Sequence, residues 1–248
     1  VRIAHSHNTQ HLTESRIKFA LNEYARKNIT KYATHCFACS KAAGEWLFGN
    51  HDCTVIPNAI EIKKYAFQKQ RREYLRREYG LSDDTYVVGH VGRFDRQKNH
   101  DFLLDMFHDF HAQQPNSKLV LIGDGENRVR IEEKTRKYSL EKAVLFLGNR
   151  SDVYDLYNMM DVFVLPSLFE GLGIVLIEAQ TNGLRCIVSQ YVPTEADLTR
   201  RVRYLPIDST KPWCDALQAA QRDALHRNSP GVVAKAGYDI TEAAIKLQ

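Results

Sequence analysis

The residues with chemical potential gather in short loops, and one loop is the most informative. It reads Pro166-Ser167-Leu168-Phe169-Glu170-Gly171-Leu172-Gly173 and runs into Ile174-Val175-Leu176-Ile177-Glu178-Ala179. Glycines at a helix start expose backbone N–H groups to an anion, and the helix dipole favours negative charge there. Glu170 stands just before this helix. Glu178 stands about a turn and a half inside it, on an otherwise apolar stretch. A carboxylate among Val175, Leu176, Ile177 and Ala179 needs a partner. Hydroxyl groups of a sugar or a ribose would serve, and so would a structural salt bridge.

A second loop, Gly92-Arg93-Phe94-Asp95-Arg96-Gln97-Lys98-Asn99, is rich in cations. Gly92 lets a ligand approach the backbone, Arg93 offers a fork for phosphate oxygens and Lys98 a point charge. A solvated basic loop is the plain alternative. A third, Gly123-Asp124-Gly125-Glu126-Asn127-Arg128, begins like a dinucleotide fingerprint but ends in arginine where a third glycine is required. A tight turn needing glycine backbone angles explains it as well. His7 ends a short apolar stretch in Ala4-His5-Ser6-His7-Asn8. With His5 and His11 it has the look of a metal site, but no convincing downstream ligand set accompanies it.

Something must hold these loops together. From residue 86 onward apolar runs alternate with helical patterns. Strands are expected at 86–91, 118–122, 143–147, 161–165, 185–188 and 203–205. Helices are expected at 99–113, 127–138, 153–159, 174–181 and 212–225. Such alternation implies a doubly wound parallel α/β sheet. Its ligands sit beyond the carboxyl ends of the strands, where the loops above fall. Before it, residues 3–4, 35–39 and 54–56 read as strands, and 13–33 and 41–48 as helices, the latter capped by Ser40. Residues 63–80 read as a charged helix. Its Arg71-Arg72-Glu73 and Arg76-Arg77-Glu78 pattern is that of a solvated face, with a peripheral membrane contact as the alternative.

Composition excludes several classes. The 248 residues carry 44% apolar and 26% charged residues, ordinary for a globular α/β chain. Five scattered cysteines argue against a disulfide framework and fit a reducing, cytoplasmic compartment. The lone pair Cys36 and Cys39 fits a buried strand better than a zinc or redox site. The net charge of +4 suits a phosphate-bearing ligand. It lacks the concentrated basic stripe with interleaved aromatics that nucleic acid demands. The chain opens on Val1 with a strand at once, so a start inside a larger protein is expected.

Taken in order, these residues resemble the retaining glycosyltransferases of family 4, which have the two-domain GT-B fold. Asn58-Ala59-Ile60-Glu61 after Val55-Ile56-Pro57 resembles the family's interdomain segment, with Ala59 and Glu61 in place of its glycine and aspartate. Gly92-Arg93 with Lys98 resembles its phosphate clamp, Gly123-Asp124-Gly125 its second turn, and Phe146-Leu147-Gly148 a strand end. Glu170 to Glu178 matches its pair of glutamates with seven residues between them. Val192-Pro193-Thr194-Glu195-Ala196 and Trp213 add a likeness to bacterial capsular and exopolysaccharide enzymes.

The resemblance implies residues 1–62 as a remnant of an N-terminal acceptor-side domain and 63–236 as a C-terminal nucleotide-sugar-binding domain. A helix at 237–248 would pack back on the first. Roughly another 100 residues would precede Val1 in a complete enzyme. The resemblance further implies that Arg93 and Lys98 grip the donor diphosphate and that Glu178 bonds the ribose. Glu170 and His7 would face the donor sugar, Gly171, Leu172 and Gly173 would offer backbone amides, and Gly148, Asn149 and Arg150 would border the base. No Asp-x-Asp triplet occurs, and the cationic clamp would replace a metal. The expected partners are a nucleotide sugar, UDP-linked by preference, and a saccharide or lipid-linked saccharide acceptor. An epimerase on the same fold and a non-catalytic nucleotide-sugar-binding module are the alternatives.

Overall fold

A computed structural model describes residues 1–11, 13, 15–222 and 230–246. Nine strands among them form two parallel sheets. The smaller sheet is β1 (Ile3–Ser6), β2 (His35–Ala38) and β3 (Thr54–Val55), in that order. The larger contains β4 (Tyr86–Val91), β5 (Ser117–Ile122), β6 (Val144–Gly148), β7 (Val162–Leu165), β8 (Arg185–Ser189) and β9 (Val202–Leu205). Their spatial order is β6-β5-β4-β7-β8-β9. Counting from β4, this is the 3-2-1-4-5-6 order of a Rossmann-type sheet, whose direction of winding reverses between β4 and β7.

The expected alternation holds because this sheet is covered on both faces. Side chains alternate across a strand. Val87, Phe163 and Leu165 therefore join one core with Leu75, Leu156, Leu176 and Ile177. Val88, Val162 and Val164 join the other with Leu103, Phe107, Leu119 and Trp213. All four residues of β7 are fully buried. Helices Lys69–Glu78 and Ile174–Thr181 lie on the first face, and His100–Gln113, Arg128–Lys137 and Lys211–Arg222 on the second.

Boundaries differ from the sequence reading for local reasons. The first helix is Arg16–Tyr32, started by the Ser15 side chain. Ser40 does cap helix Lys41–Phe48, accepting from the Ala43 N–H. The charged helix expected at 63–80 is two helices, Ile62–Tyr65 and Lys69–Glu78. The helix at 153–159 tightens to a 3₁₀ turn over Tyr157–Met159. Residues 223–225 of the helix at 212–225, and 247–248, lie outside the described residues. The last helix starts at Ile240, because Gly237 at φ 86° interrupts the run before it.

The solvated face expected on 63–77 is corrected by the structure. Arg72 donates to Asp161 at 2.5 Å and to the carbonyls of Asn158, Met159 and Met160. Arg76 is only 2% exposed and donates to Asp161, Met159, Ser82 and Thr85. Arg71 pairs with Asp155 at 2.9 Å. These three arginines face the chain because backbone carbonyls at a strand entry and two aspartates accept from them there. Lys63, Lys69 and Arg77 remain exposed. Among the described residues no helix is long and apolar enough to cross a membrane.

The two sheets share contacts. Ala38, Cys39 and Ala43 of the first belong to the same core as Leu172, Val192 and Tyr238. The segment that leaves the small sheet is paired with a second stretch of chain near Tyr238. Ile60 N–H donates to the Tyr238 carbonyl at 2.9 Å and Ile240 N–H to the Ile60 carbonyl at 3.0 Å.

Candidate active site

The reversal of winding opens a crevice where the ends of β4 and β7 diverge, and the loops singled out by the sequence line it. After Val91 the chain turns through Gly92. A Cβ there would stand 2.9 Å from both His90 Nε2 and Lys98 Cγ, so glycine makes room for the Lys98 stem. The neighbouring turn is equally tight. Gly123 has φ 132°, and a Cβ on it would lie 2.1 Å from the Gly92 carbonyl oxygen. The glycine pair of residues 123–125 is thus a turn built to support the Gly92–Phe94 loop. Phe94 N–H donates to the Asp124 carbonyl at 2.9 Å.

Lys98 reaches across the crevice. Its Nζ lies 2.6 Å from Glu170 Oε1, with the two side chains 14% and 6% exposed. Ser167 Oγ donates to the same oxygen at 2.6 Å, and Gln97 Nε2 to Oε2 at 3.2 Å. Ser189 holds the Ser167 carbonyl in turn. Arg93, by contrast, is exposed, and its guanidinium has no hydrogen-bond or ion-pair partner among the described residues.

The smaller sheet closes the other side. A Cβ on Gly171 would meet the His7 carbonyl oxygen at 2.1 Å, so the chain after β1 lies directly against the Glu170–Gly173 loop. Thr9 Oγ1 donates to the Glu170 carbonyl at 2.9 Å, and the Ser40 hydroxyl donates to the Gly171 carbonyl. His7 is therefore brought to the site by its backbone. Its exposed ring packs on His5 at 4.0 Å between centroids. Burial, then the neighbouring His7, holds His5 below the usual imidazole range. His11 is turned away, its ring between Phe19 and Trp46 and 3.2 Å from Glu23. No group of three His, Cys, Asp or Glu able to hold a metal occurs among the described residues.

Gly173, at φ 78°, starts helix Ile174–Thr181. Inside it Glu178 has partners that the sequence did not offer. Tyr157 Oη donates to Oε2 at 2.7 Å and Tyr65 Oη to Oε1 at 3.0 Å. Burial pushes the Glu178 carboxyl above the usual range, opposed by these two phenols and by Lys98. Neither tyrosine could be tied to Glu178 by spacing alone. Gln97, Ser167, Ser40 and Thr9 were missed too, since hydroxyl and amide side chains in loops are too common to signal a role.

Beside Arg93 lies a cleft of about 560 Å³. Val91, Gly92, Ile122, Gly123, Asn149 and Arg150 are among its walls. Gly148 turns the chain at φ 65° just behind it. Arg150 is paired with Asp152 through two bonds of 2.8 and 2.7 Å. The cleft and the Lys98–Glu170 crevice share the Gly92–Arg93 turn. Gly92, Arg93, Asn149 and Arg150 line the cleft, Lys98 and Glu170 meet in the crevice, and Glu178 lies in the helix that follows the Glu170–Gly173 loop.

The strand order and the loops at its winding reversal define a Rossmann-type α/β protein. Residues 71–201 match the model of the family described as glycosyl transferases group 1, and the chain belongs to that family. It is 38% identical over 203 residues to the putative glycosyltransferase EpsF of Bacillus subtilis (strain 168), covering 79% of this chain and 53% of that one. It is 36% identical over 140 residues to an Escherichia coli enzyme, UDP-Gal:alpha-D-GlcNAc-diphosphoundecaprenol alpha-1,3-galactosyltransferase, covering 55% and 36%. The chain thus spans about half the length of the first relative and about a third of the second. Neither is named an epimerase.

The fold is shared with solved structures. Anabaena Alr3699/HepE in complex with UDP and glucose matches with a TM-score of 0.79 at 19% identity, over 99% of this chain and 69% of that one. Sucrose-phosphate synthase from Thermosynechococcus elongatus matches with a TM-score of 0.80 at 22% identity, over 95% and 62%. The architecture is that of GT-B glycosyltransferases.

Proposed function

We propose that this chain supplies the donor side of a retaining glycosyltransferase that moves a sugar from a nucleoside diphosphate sugar to an acceptor hydroxyl without a metal. Residues 63–236 form the donor-binding domain and 1–62 part of the acceptor-side domain. One observation carries the reading: the cation-bearing loop after β4 and the Glu170–Gly173 loop after β7 meet at a single crevice, joined by Lys98 and Glu170. As the glycosidic bond breaks, negative charge grows on the β-phosphate. Arg93, uncommitted within the chain, supplies a fork for it. Lys98 supplies a point charge, and the start of helix Ile174–Thr181 supplies backbone N–H groups. Glu170 is held beside the sugar, where positive character develops. His7 reaches the same place from β1. The cleft bordered by Gly148, Asn149 and Arg150 takes the base, and Glu178 the ribose.

The donor is a UDP-sugar. Support comes from the E. coli relative, named for UDP-Gal, and from the fold partner solved with UDP and glucose. The acceptor is a saccharide carried on a lipid diphosphate at a cytoplasmic membrane surface, by analogy with the same relative's printed acceptor. Polysaccharide biosynthesis is the process such a transfer serves. Calorimetric titration with UDP, GDP and ADP tests the reading. Selective binding of UDP, weakened in both Arg93→Ala and Glu178→Ala, is the expected result. Equal binding of all three, or UDP binding indifferent to both substitutions, would refute it.

A further inference from the structure

We propose that Tyr65 and Tyr157 are positioning residues that aim the Glu178 carboxylate at the donor's ribose hydroxyls, Tyr65 doing so from the segment that joins the two sheets. The proposal rests on the reading of Glu178 as the ribose ligand. Its own basis is the geometry around that side chain. Each carboxylate oxygen receives one phenol, at 2.7 Å from Tyr157 and 3.0 Å from Tyr65. Both phenols are donors here. Burial and the adjacent carboxylate hold Tyr65 and Tyr157 well above the usual phenol range, so both keep their protons.

A carboxylate accepts at about four lone-pair positions. Two phenols leave about two, the number a vicinal diol requires. Glu178 keeps part of its surface exposed, and the diol is proposed to take the two remaining positions. The two tyrosines are themselves fixed. Tyr157 is fully buried, and its ring packs on Phe163 of β7 at 5.9 Å. The Tyr65 carbonyl accepts from Asn182 Nδ2 at 3.0 Å, and its ring stands edge-on to Tyr154 at 6.4 Å. Tyr65 closes helix Ile62–Tyr65, the first turn of chain after Ile60 and Glu61. The carboxylate is thereby clamped between a rigid core residue and a residue of the connecting segment. With one phenol lost, it would swing toward the other and lose its aim at the diol. Each phenol also favours the charged form. Its loss would let Glu178 keep its proton to higher pH and turn one acceptor oxygen into a donor.

The test compares UDP with 2′-deoxy-UDP on the wild-type chain and on Tyr65→Phe and Tyr157→Phe. The wild type is expected to prefer UDP by roughly tenfold or more, the scale of a hydrogen bond to a charged group. Either substitution should shrink that preference toward unity while leaving 2′-deoxy-UDP affinity in place. The residual preference should also disappear at a higher pH than in the wild type. If the wild type prefers UDP and both variants keep the full preference, or lose affinity for both nucleotides equally, the positioning role is overturned and the ribose reading stands. If the wild type shows no preference, or binds neither nucleotide, the ribose reading fails and the proposal with it. Should Tyr157→Phe not fold, the partly buried Tyr65→Phe carries the test alone.

Discussion

The Lys98 ammonium lies 2.6 Å from Oε1 of Glu170, and the two residues come from loops on opposite sides of the winding reversal. The pair therefore closes the crevice as well as equipping it. Removing one member of a buried pair leaves the other uncompensated, at a cost of about 3 kcal/mol. Lys98→Met should lower the melting temperature and abolish transfer together. Lys98→Met combined with Glu170→Gln should recover most of the stability and none of the activity. Thermal melts beside a transfer assay decide this. A double variant as unstable as the single one would show that the pair is not coupled.

Arg93 gives the opposite pattern. It is exposed, and its guanidinium has no partner among the described residues. Arg93→Ala should change stability by less than about 0.5 kcal/mol. It should weaken UDP binding roughly tenfold to a hundredfold, the loss of a charge-assisted contact. Melting and calorimetry on the same preparation separate the two effects, and a large fall in melting temperature would contradict the uncommitted state of this side chain.

Gly171 is a contact between the sheets more than a hinge. Since its added Cβ would stand 2.1 Å from the His7 carbonyl oxygen, Gly171→Ala must push the chain after β1 away from the crevice. A stability loss of about 1–3 kcal/mol is expected, with weakened transfer. Gly231→Ala is the control. It meets nothing within 4 Å in helix Pro230–Val233 and should leave stability unchanged or slightly higher. Chemical denaturation of the two variants gives the comparison.

Acid sensitivity should come from beneath the clamp loop. Burial pushes His90 down to about 4 and His100 down to about 2, and their rings lie 4.8 Å apart. Both fold neutral. The unfolded chain takes up their protons below about pH 6.5. Stability from these histidines is therefore complete above pH 6.5 and is lost as pH falls toward their folded values. His100 stacks on Phe94 and has no hydrogen-bond partner on either ring nitrogen among the described residues. His100→Phe should remove about 2 kcal/mol of the loss seen at pH 5 while changing little of the pH dependence above 7. Melting curves from pH 4.5 to 8 measure the slope, and an unchanged slope in the variant would assign the acid sensitivity elsewhere.

The legible parts of this molecule share a physical cause. Strands β4 to β8 announce themselves because burial on both faces demands uninterrupted apolar runs such as Val162–Leu165. The loops at their ends stood out because glycines and cations lie close together there in sequence. The tyrosine pair on Glu178 left no such trace, since its members stand 113 and 21 residues away from it. The arginines of helix Lys69–Glu78 misled for the same reason. Their charge pattern describes a solvated face, whereas their partner Asp161 lies more than 80 residues downstream. Local spacing reports what a loop can bind, and only the folded chain reports which charges it has already satisfied.

The paired crossing of Ile60 with Tyr238 and Ile240 has a mechanical meaning. It braces the segment that leaves the small sheet with a second, hydrogen-bonded thread, beside the shared core that already joins the two sheets. A chain cut short of Tyr238 would keep Arg93, Lys98, Glu170 and Glu178 and lose the second thread. The segment from Ile60 onward would then meet the Glu170–Gly173 side of the molecule with one brace fewer.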